Sequence, residues 1–306
     1  MALSASVVAG LQHLLGPAGV VLTREGRLTY ESDMLTLYKG MPDAVVLPTS
    51  TEEVQAVVRI CREARVPVVP RGSGTGLIGG ATAPQGGVMV SMTRMTRILE
   101  LDLANRCATV QPGLINLWLT NAVRDRGWFF APDPSSQMVS SIGGNVATNA
   151  GGPHCLKYGI TTNHVLGLEM VIGTGEVVSV GGKAADRPGY DLTGTMVGNE
   201  GTFGLVTAIT VRLLHLPEAV KTALASFASL VEASEAVSAI IAAGIIPAAL
   251  EMLDDAMIGA VNAAVGKVYP DGAGAVLLIE LEAPAPRWRL RPSASRRSAA
   301  SGRRSW

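Results

Sequence analysis

A stretch rich in glycine, with two hydroxyl side chains and one arginine, is the part of the sequence best suited to bind an anion. It reads VPRGSGTGLIGG from Val69 to Gly80. Glycine tolerates positive φ, so consecutive backbone N–H groups in such a loop can point at one anion. Arg71 adds a cation, and Ser73 and Thr75 add hydroxyl groups. The stretch predicts a loop that holds phosphate.

Two other interpretations of this stretch are open. Gly74, Gly76 and Gly79 fit the G-x-G-x-x-G fingerprint of nicotinamide dinucleotide sites, which has meaning only between a strand and the start of a helix. Pro84 and the glycines beside it stop a helix from completing two turns, and no acidic residue stands at the expected distance. A glycine-rich surface turn without a ligand is the second alternative. The phosphate loop is favoured over both.

Two later stretches share this richness in small residues. One runs from Ser140 to Gly152, where Ser141, Asn145 and Thr148 offer polar edges, and the other reads GNEGTFG at 198–204. Small side chains let a backbone approach a flat ligand closely, although tight turns in a core of small residues would look similar. Three such stretches exceed what one mononucleotide needs, so they favour an extended ligand.

Four motifs together resemble the FAD-binding domain of the vanillyl-alcohol oxidase superfamily. They are PRGSGTG at 70–76, SIGGN at 141–145, KYG at 157–159 and EGTFG at 200–204. The similarity is strongest to the FAD-linked 2-hydroxyacid dehydrogenases and oxidases, the group of glycolate oxidase, D-lactate dehydrogenase and D-2-hydroxyglutarate dehydrogenase. The resemblance implies an α+β fold, in which a two-subdomain FAD-binding domain precedes an incomplete ferredoxin-like cap domain.

The resemblance also implies which residues contact FAD. It places the pyrophosphate on the first loop, the isoalloxazine near Pro132 and the turn at 141–145, and the rest of the cofactor on 200–204 and Ile209. With Thr148 added for its polar edge, the expected cofactor-binding residues are Arg71, Gly72, Ser73, Gly74, Thr75, Gly76, Leu77, Pro132, Ser141, Gly143, Gly144, Asn145, Thr148, Glu200, Gly201, Gly204 and Ile209. No catalytic residue and no metal ligand is assigned, and a hydrogen-bonded structural role is favoured for His154 and His164.

The pattern along the chain, taken with the family resemblance, predicts four segments. Residues 1–43 form an N-terminal helix at 6–15 and an irregular lead-in at 24–39, and residues 44–216 form the FAD-binding domain. The latter opens with a β-α-β unit whose helix begins at a capping box, Ser50 to Glu53. Residues 217–282 form a partial cap with strands at 223–227, 247–253 and 276–281 and helices at 230–243 and 256–265. Residues 283–306 form a tail rich in arginine and serine that is expected to be disordered.

Composition limits the partners and the compartment. Seven of the 25 basic residues lie in 287–306, so the remaining chain has 18 basic against 25 acidic residues and a net charge of −7, which argues against nucleic acid. No apolar run approaches the ~18 residues of a membrane span, and no signal peptide precedes residue 17. Three cysteines without metal-type spacing suit a reducing compartment. We expect a cytoplasmic protein, with a peripheral place at the inner membrane through partner subunits as an alternative.

Two hypotheses about function compete. In the first, the protein is an FAD-dependent oxidoreductase that transfers hydride from the Cα of a small 2-hydroxy acid, of the glycolate or D-lactate type, to flavin N5, and passes electrons to a partner subunit or another acceptor. In the second, it is a truncated FAD-binding product that does not turn over, because the family's His-x-Gly-Asp-Gly-Asn-x-His motif does not appear. The tail composition favours the second for this polypeptide, and the ancestry favours the first for its family. An FAD subunit of a molybdenum hydroxylase fits less well.

The residue at position 75 predicts how the cofactor is attached. Relatives that bind FAD covalently through the first loop carry a histidine where this sequence has Thr75. Because a hydroxyl is a far weaker nucleophile than imidazole, we expect noncovalent FAD. Acid precipitation of the purified protein should leave the yellow cofactor in the supernatant, and colour retained in the pellet would contradict the prediction.

Overall fold

The computed structural model describes residues 3–184 and 189–283, and the tail predicted at 283–306 lies outside them except for Ala283, the last residue of a strand. The helices are α1 (Ala5–Leu15), α2 (Arg24–Leu28), α3 (Thr51–Glu63), α4 (Asn116–Arg124), α5 (Ile142–Thr148), α6 (Cys155–Tyr158), α7 (Leu192–Met196), α8 (Leu230–Ala242) and α9 (Asp255–Val265). The strands are β1 (Val20–Val21), β2 (Ala44–Val46), β3 (Val68–Arg71), β4 (Val88–Ser91), β5 (Ile98–Asp102), β6 (Cys107–Val110), β7 (Trp128–Phe129), β8 (Val165–Ile172), β9 (Val177–Gly181), β10 (Gly204–Arg212), β11 (Leu214–His215), β12 (Ala219–Phe227), β13 (Ala249–Asp254) and β14 (Ala275–Ala283).

The chain divides into two compact units. The first unit comprises Met1–Ala150 and Ile160–His215, and the second comprises Gly151–Gly159 and the chain from Leu216 onward. The short segment around α6 therefore groups with the later part of the chain rather than with its sequence neighbours. Within the described residues, every helix is too short or too polar to cross a bilayer.

The first unit opens with a sheet in the order β1-β2-β4-β3, in which β2 and β3 both run parallel to β4. The predicted β-α-β unit is present, but β4 lies between its two strands. Ser50 caps α3 by accepting a hydrogen bond from the Glu53 backbone N–H. The capping box is only half formed, because the Glu53 carboxylate accepts from the Thr49 N–H at 2.6 Å instead of from Ser50. The buried face of α3 consists of Val54, Val57, Val58 and Cys61.

A second sheet of the first unit is antiparallel, in the order β5-β6-β10-β8-β9. Its central strand β10 alternates buried and partly exposed residues, and Ile209 and Val211 have no exposed surface. Leu119 and Val123 of α4 belong to the same hydrophobic core. The predicted hairpin at 166–180 is confirmed as β8 and β9, which pair antiparallel.

The second unit contains a three-stranded antiparallel sheet in the order β12-β14-β13, with α8 and α9 packed on it. The core contains Phe227 of β12, Ala233 and Ile240 of α8 and Leu277 of β14. All five predicted elements of this region are present, each within a few residues of its expected limits. The first five residues of β14 are apolar, and only towards its end do Glu280 and Glu282 alternate with Ile279 and Leu281 on the other face of the sheet.

Two predictions about local structure were wrong. The lead-in at 24–39 is not wholly irregular, because Thr23 caps the short helix α2. The turn expected at 141–145 is the first part of helix α5, whose N-cap Ser141 accepts a hydrogen bond from the Gly144 N–H and which ends at Asn149 in the left-handed conformation. Since small residues dominate α5, only Ile142 and Val146 mark its apolar face, and this is too weak a period to distinguish a helix from a turn.

Gly113 tests how closely the chain packs beside the second sheet. A Cβ there would lie 2.1 Å from the Met92 carbonyl oxygen and 2.8 Å from that of Met95, and both oxygens belong to rigid backbone. We expect Gly113→Ala to lower the free energy of unfolding by about 2 kcal/mol, the usual scale of overpacking. Gly173→Ala is the matched control, because a Cβ at Gly173 meets no atom within 4 Å. Equal denaturant midpoints for the two variants would contradict this packing.

Candidate functional site

The three glycine-rich stretches of the sequence meet at one cavity of about 650 Å³ in the first unit. The loop after β3, the N-terminal part of α5 and the loop before β10 form its walls. Of the predicted cofactor-binding residues, those that line the cavity are Arg71, Gly72, Ser73, Gly74, Thr75, Gly76, Leu77, Ser141, Gly143, Gly144, Asn145, Thr148, Glu200, Gly201 and Gly204.

Two predicted residues do not line this cavity. The Pro132 carbonyl oxygen accepts a hydrogen bond from the Asn116 side-chain amide at 2.9 Å, which ties this segment to α4. Ile209 is fully buried in the core of the second sheet. Both residues lie outside the described lining of the cavity, and their contact with the cofactor stays a prediction.

Arg71 is a nearly buried cation at the cavity wall. It ends strand β3, is 8% exposed, and donates from Nη1 to the Ala81 carbonyl oxygen at 2.8 Å. Its guanidinium also lies over the Tyr30 ring, 5.5 Å from the centroid. Burial lowers the pKa of Arg71, while the nearby Asp33 acts in the opposite direction. Because arginine keeps its proton over the whole physiological range, Arg71 remains a cation at the cavity wall.

The conformation of the first loop depends on Gly74. Its φ is +74°, and a Cβ there would lie 2.3 Å from Nη2 of Arg71. Any side chain at this position would therefore be strained in its backbone and would displace the guanidinium. The loop thus leaves room for the arginine that the sequence places three residues earlier.

Asp33 is a cavity residue that the sequence analysis missed. It is 5% exposed, and its two carboxylate oxygens accept from the backbone N–H groups of Gly79 at 2.8 Å and Leu35 at 3.0 Å. The carboxylate therefore holds the far end of the first loop and also balances the charge of Arg71. No local motif signals this role, since Asp33 lies in the lead-in and meets its partners only through the fold.

The N-terminal part of α5 lies against the first loop. A Cβ at Gly72 would be 2.6 Å from Ser141 Oγ, so the glycine allows close contact between the two segments. Asn145 lies at the cavity wall, is 3% exposed, and its Nδ2 has no hydrogen-bond partner within the described part of the chain. A buried amide without a partner costs free energy, so this group is suited to donate to a bound ligand.

The third stretch closes the cavity from the side of β10. Gly201 has φ +80°, and a Cβ there would lie 2.2 Å from Cγ of Pro70 at the end of β3. Glu200 next to it also has positive φ, 54°, which is uncommon for a residue with a side chain. The loop is thus held in a specific conformation against the strand that leads into Arg71.

The site residues fit an extended flat ligand that carries phosphate. Glycine backbones approach closely from three sides, Arg71 supplies a charge, and Ser73, Thr75 and Asn145 supply polar groups. Cavities of this size, mostly apolar with a few placed polar groups, are typical of cofactor sites. The close glycine backbones, the charge of Arg71 and the placed polar groups are therefore suited to bind FAD.

Comparison with known proteins agrees with the geometry. The family described as "FAD binding domain" matches residues 42–181, and "FAD linked oxidases, C-terminal domain" matches residues 216–301. Glycolate oxidase subunit GlcD of Bacillus subtilis (strain 168) is 46% identical over 275 residues, which cover 90% of this chain and 58% of that protein. D-lactate dehydrogenase of Anaerostipes hadrus is 36% identical over 259 residues, covering 84% and 54%.

Solved structures show the same fold at low identity. Alkyldihydroxyacetonephosphate synthase superimposes with a TM-score of 0.85 and 21% identity over 98% of this chain and 63% of that one. p-Cresol methylhydroxylase superimposes with a TM-score of 0.76 and 19% identity over 93% and 62%. The predicted fold class, α+β of the vanillyl-alcohol oxidase type, is confirmed.

The fold and the cavity define an FAD-binding protein. The chain belongs to the FAD-linked oxidases, in the oxidoreductase group that contains glycolate oxidase subunit GlcD and the D-lactate dehydrogenases, and its cofactor is FAD. The chain spans somewhat more than half the length of the curated relatives it matches, 58% and 56% for GlcD of Bacillus subtilis (strain 168) and of Escherichia coli (strain K12).

Arg71→Ala tests whether the buried cation contacts the cofactor. We expect FAD binding to weaken by roughly 1.5–3 kcal/mol, the scale of a charge-assisted hydrogen bond, measured by fluorescence titration of the apoprotein. Arg62→Ala is the control, because Arg62 also donates to a backbone carbonyl, that of Thr174, but lies outside the cavity. Equal dissociation constants for both variants would move the phosphate away from Arg71.

Proposed function

We propose that the protein binds FAD noncovalently in this cavity and takes part in the oxidation of a small 2-hydroxy acid of the glycolate or D-lactate type. The observation that carries the proposal is the convergence of three glycine-rich stretches on one cavity beside the nearly buried Arg71. The identity to glycolate oxidase and D-lactate dehydrogenase sequences supports the substrate class.

Each wall of the cavity has a role in this proposal. The backbone N–H groups of the loop at 72–77 and the Arg71 guanidinium hold the pyrophosphate, and Asp33 keeps that loop in place. Asn145 Nδ2 would donate to an acceptor atom of the cofactor, and the loop at 199–204 would form the opposite wall of its site. Thr75 stands where a covalent attachment would need imidazole. When bound, FAD would supply the redox chemistry, as an acceptor for a hydride from the substrate carbon.

The acid–base part of the reaction is not assigned to a residue. The carboxylates among the described cavity residues are Asp33 and Glu200, and Asp33 already accepts from two backbone N–H groups. Histidine and lysine are both missing from the described residues that line the cavity. This observation favours a second candidate function, in which the chain binds FAD but does not oxidise 2-hydroxy acids by itself.

The same relatives support a proposal for the domain organisation, the partners and the location of the protein. We propose that residues 44–216 form the FAD-binding domain and residues 217–282 part of a substrate cap. GlcD is named as a subunit of glycolate oxidase. By this similarity we propose that the chain is cytoplasmic and passes electrons to partner subunits or to another acceptor. If the partner subunits lie at the inner membrane, the chain is peripheral there.

Anaerobic mixing distinguishes the two candidate functions. If the chain oxidises 2-hydroxy acids, the FAD-loaded protein loses its absorption at about 450 nm on addition of millimolar glycolate, D-lactate or D-2-hydroxyglutarate, because the flavin takes up a hydride. Acetate and propionate, which lack the hydroxyl group, leave the band unchanged. Dithionite in a parallel sample shows that the bound flavin is reducible. A band that survives all three hydroxy acids but not dithionite contradicts the proposed activity and supports the second candidate.

A further inference from the structure

A cluster of charged and polar side chains lies within the second unit, outside the cavity. Glu280 and Glu282 are two positions apart on β14, so they share the face of the sheet opposite to Leu277. His154, at the N-terminal end of α6, places Nε2 2.9 Å from Oε1 of Glu280. Lys157 of α6 forms an ion pair with Glu282. The fold thus joins residues that are more than 120 positions apart.

The geometry of this cluster suits a metal ion. One ligand atom each from His154, Glu280 and Glu282 can be chosen so that all three lie within 4.8 Å of one another. Zn²⁺ binds imidazole nitrogen and carboxylate oxygen at about 2.0–2.2 Å, which places neighbouring ligand atoms roughly 3.3–3.6 Å apart in a tetrahedral site. Small side-chain rotations close that difference. Three protein ligands with one open position is also the usual arrangement of a zinc site that retains a water molecule.

We propose that His154, Glu280 and Glu282 form a binding site for a zinc-type divalent cation. The ligand set of one imidazole and two carboxylates neutralises a dication completely. It combines the nitrogen and oxygen donors that zinc accepts readily. The Tyr158 hydroxyl donates a hydrogen bond to Glu282. Tyr158 therefore orients the carboxylate, as outer partners of metal ligands commonly do.

Lys157 is the cation that the metal ion has to replace. The Glu282 side chain is only 6% exposed, and a carboxylate so enclosed is costly without a compensating charge. Lys157 supplies that charge in the absence of metal. Its own side chain is 31% exposed, so the ammonium can move into solvent when a dication takes its place. The ion pair and the metal site are then alternative states of the same carboxylate.

A purely structural ion-pair network is the competing explanation, and Lys157 distinguishes the two. In a structural network, Lys157→Gln only weakens the attachment of α6 to the sheet. In a metal site, the same substitution removes the competing ammonium and leaves Glu282 without its partner charge. Metal affinity should then increase, by about tenfold for a charge near the protein surface.

Zinc titration of the full chain tests the proposal. The FAD-loaded protein is dialysed against a chelator and titrated with Zn²⁺ by calorimetry, and zinc per chain is counted by elemental analysis. We expect one zinc per chain, affinity at least tenfold lower in His154→Ala and in Glu280→Gln, and affinity about tenfold higher in Lys157→Gln. His13→Ala is the control, since His13 lies on the exposed side of α1.

Two results would overturn the proposed zinc site. One is that the intact chain takes up no zinc, and the other is that zinc uptake is unchanged in the double variant with His154→Ala and Glu280→Gln. Lower zinc affinity in Lys157→Gln, with circular dichroism showing a folded protein, would assign the cluster to structure alone. The readout is metal stoichiometry and affinity, so a failure of the proposed oxidation leaves this test unaffected.

Discussion

The close approach of backbones at the end of β3 is the constraint on which the rest of the FAD site depends. A Cβ at Gly74 would meet Arg71, one at Gly201 would meet Pro70, and one at Gly72 would meet Ser141. These contacts join three stretches that are far apart in sequence into a single wall. Glycine permits both the close approach of backbones and a positive φ. The glycines of these stretches are therefore required by packing as much as by ligand binding.

Charge inside this wall is balanced locally. Arg71 is almost completely buried, and an isolated buried guanidinium would be unfavourable. The Ala81 carbonyl, the Tyr30 ring and the nearby Asp33 together compensate it. Among the described residues Arg71 donates one hydrogen bond, from Nη1 to the Ala81 carbonyl, so other N–H groups of its guanidinium remain for an anionic ligand. The same residues that stabilise the loop therefore also define the sign of the charge that it binds.

Much of this arrangement could be predicted from the sequence, because its information is local. Glycine-rich stretches are recognisable directly in the sequence. The alternation of apolar residues along β10 and their helical period along α3 are also strong signals. Asp33 could not be predicted, since its partner Gly79 lies 46 positions away and nothing around Asp33 is distinctive. Helix α5 was missed for a different reason, because its small residues give almost no hydrophobic period.

The cluster of His154, Glu280 and Glu282 in the second unit also depends on contacts between residues that are far apart in sequence. His154 has no metal-type spacing in the sequence, and it meets Glu280, 126 positions away, because Gly151–Gly159 groups with the second unit.

Strand β14 connects the apolar core of the second unit to this polar cluster through its register. It pairs with β12 and β13, with Leu277 opposite Ala225 and Met252, and Glu280 opposite Thr222 and Ala249. A slip of one residue would turn every side chain to the other face, so two carboxylates would enter the helix-covered core and Leu277 would leave it. Glu280 and Glu282 therefore make pairing of β14 in a shifted register unfavourable. Acidic residues that serve a site can in this way also protect the accuracy with which a sheet assembles.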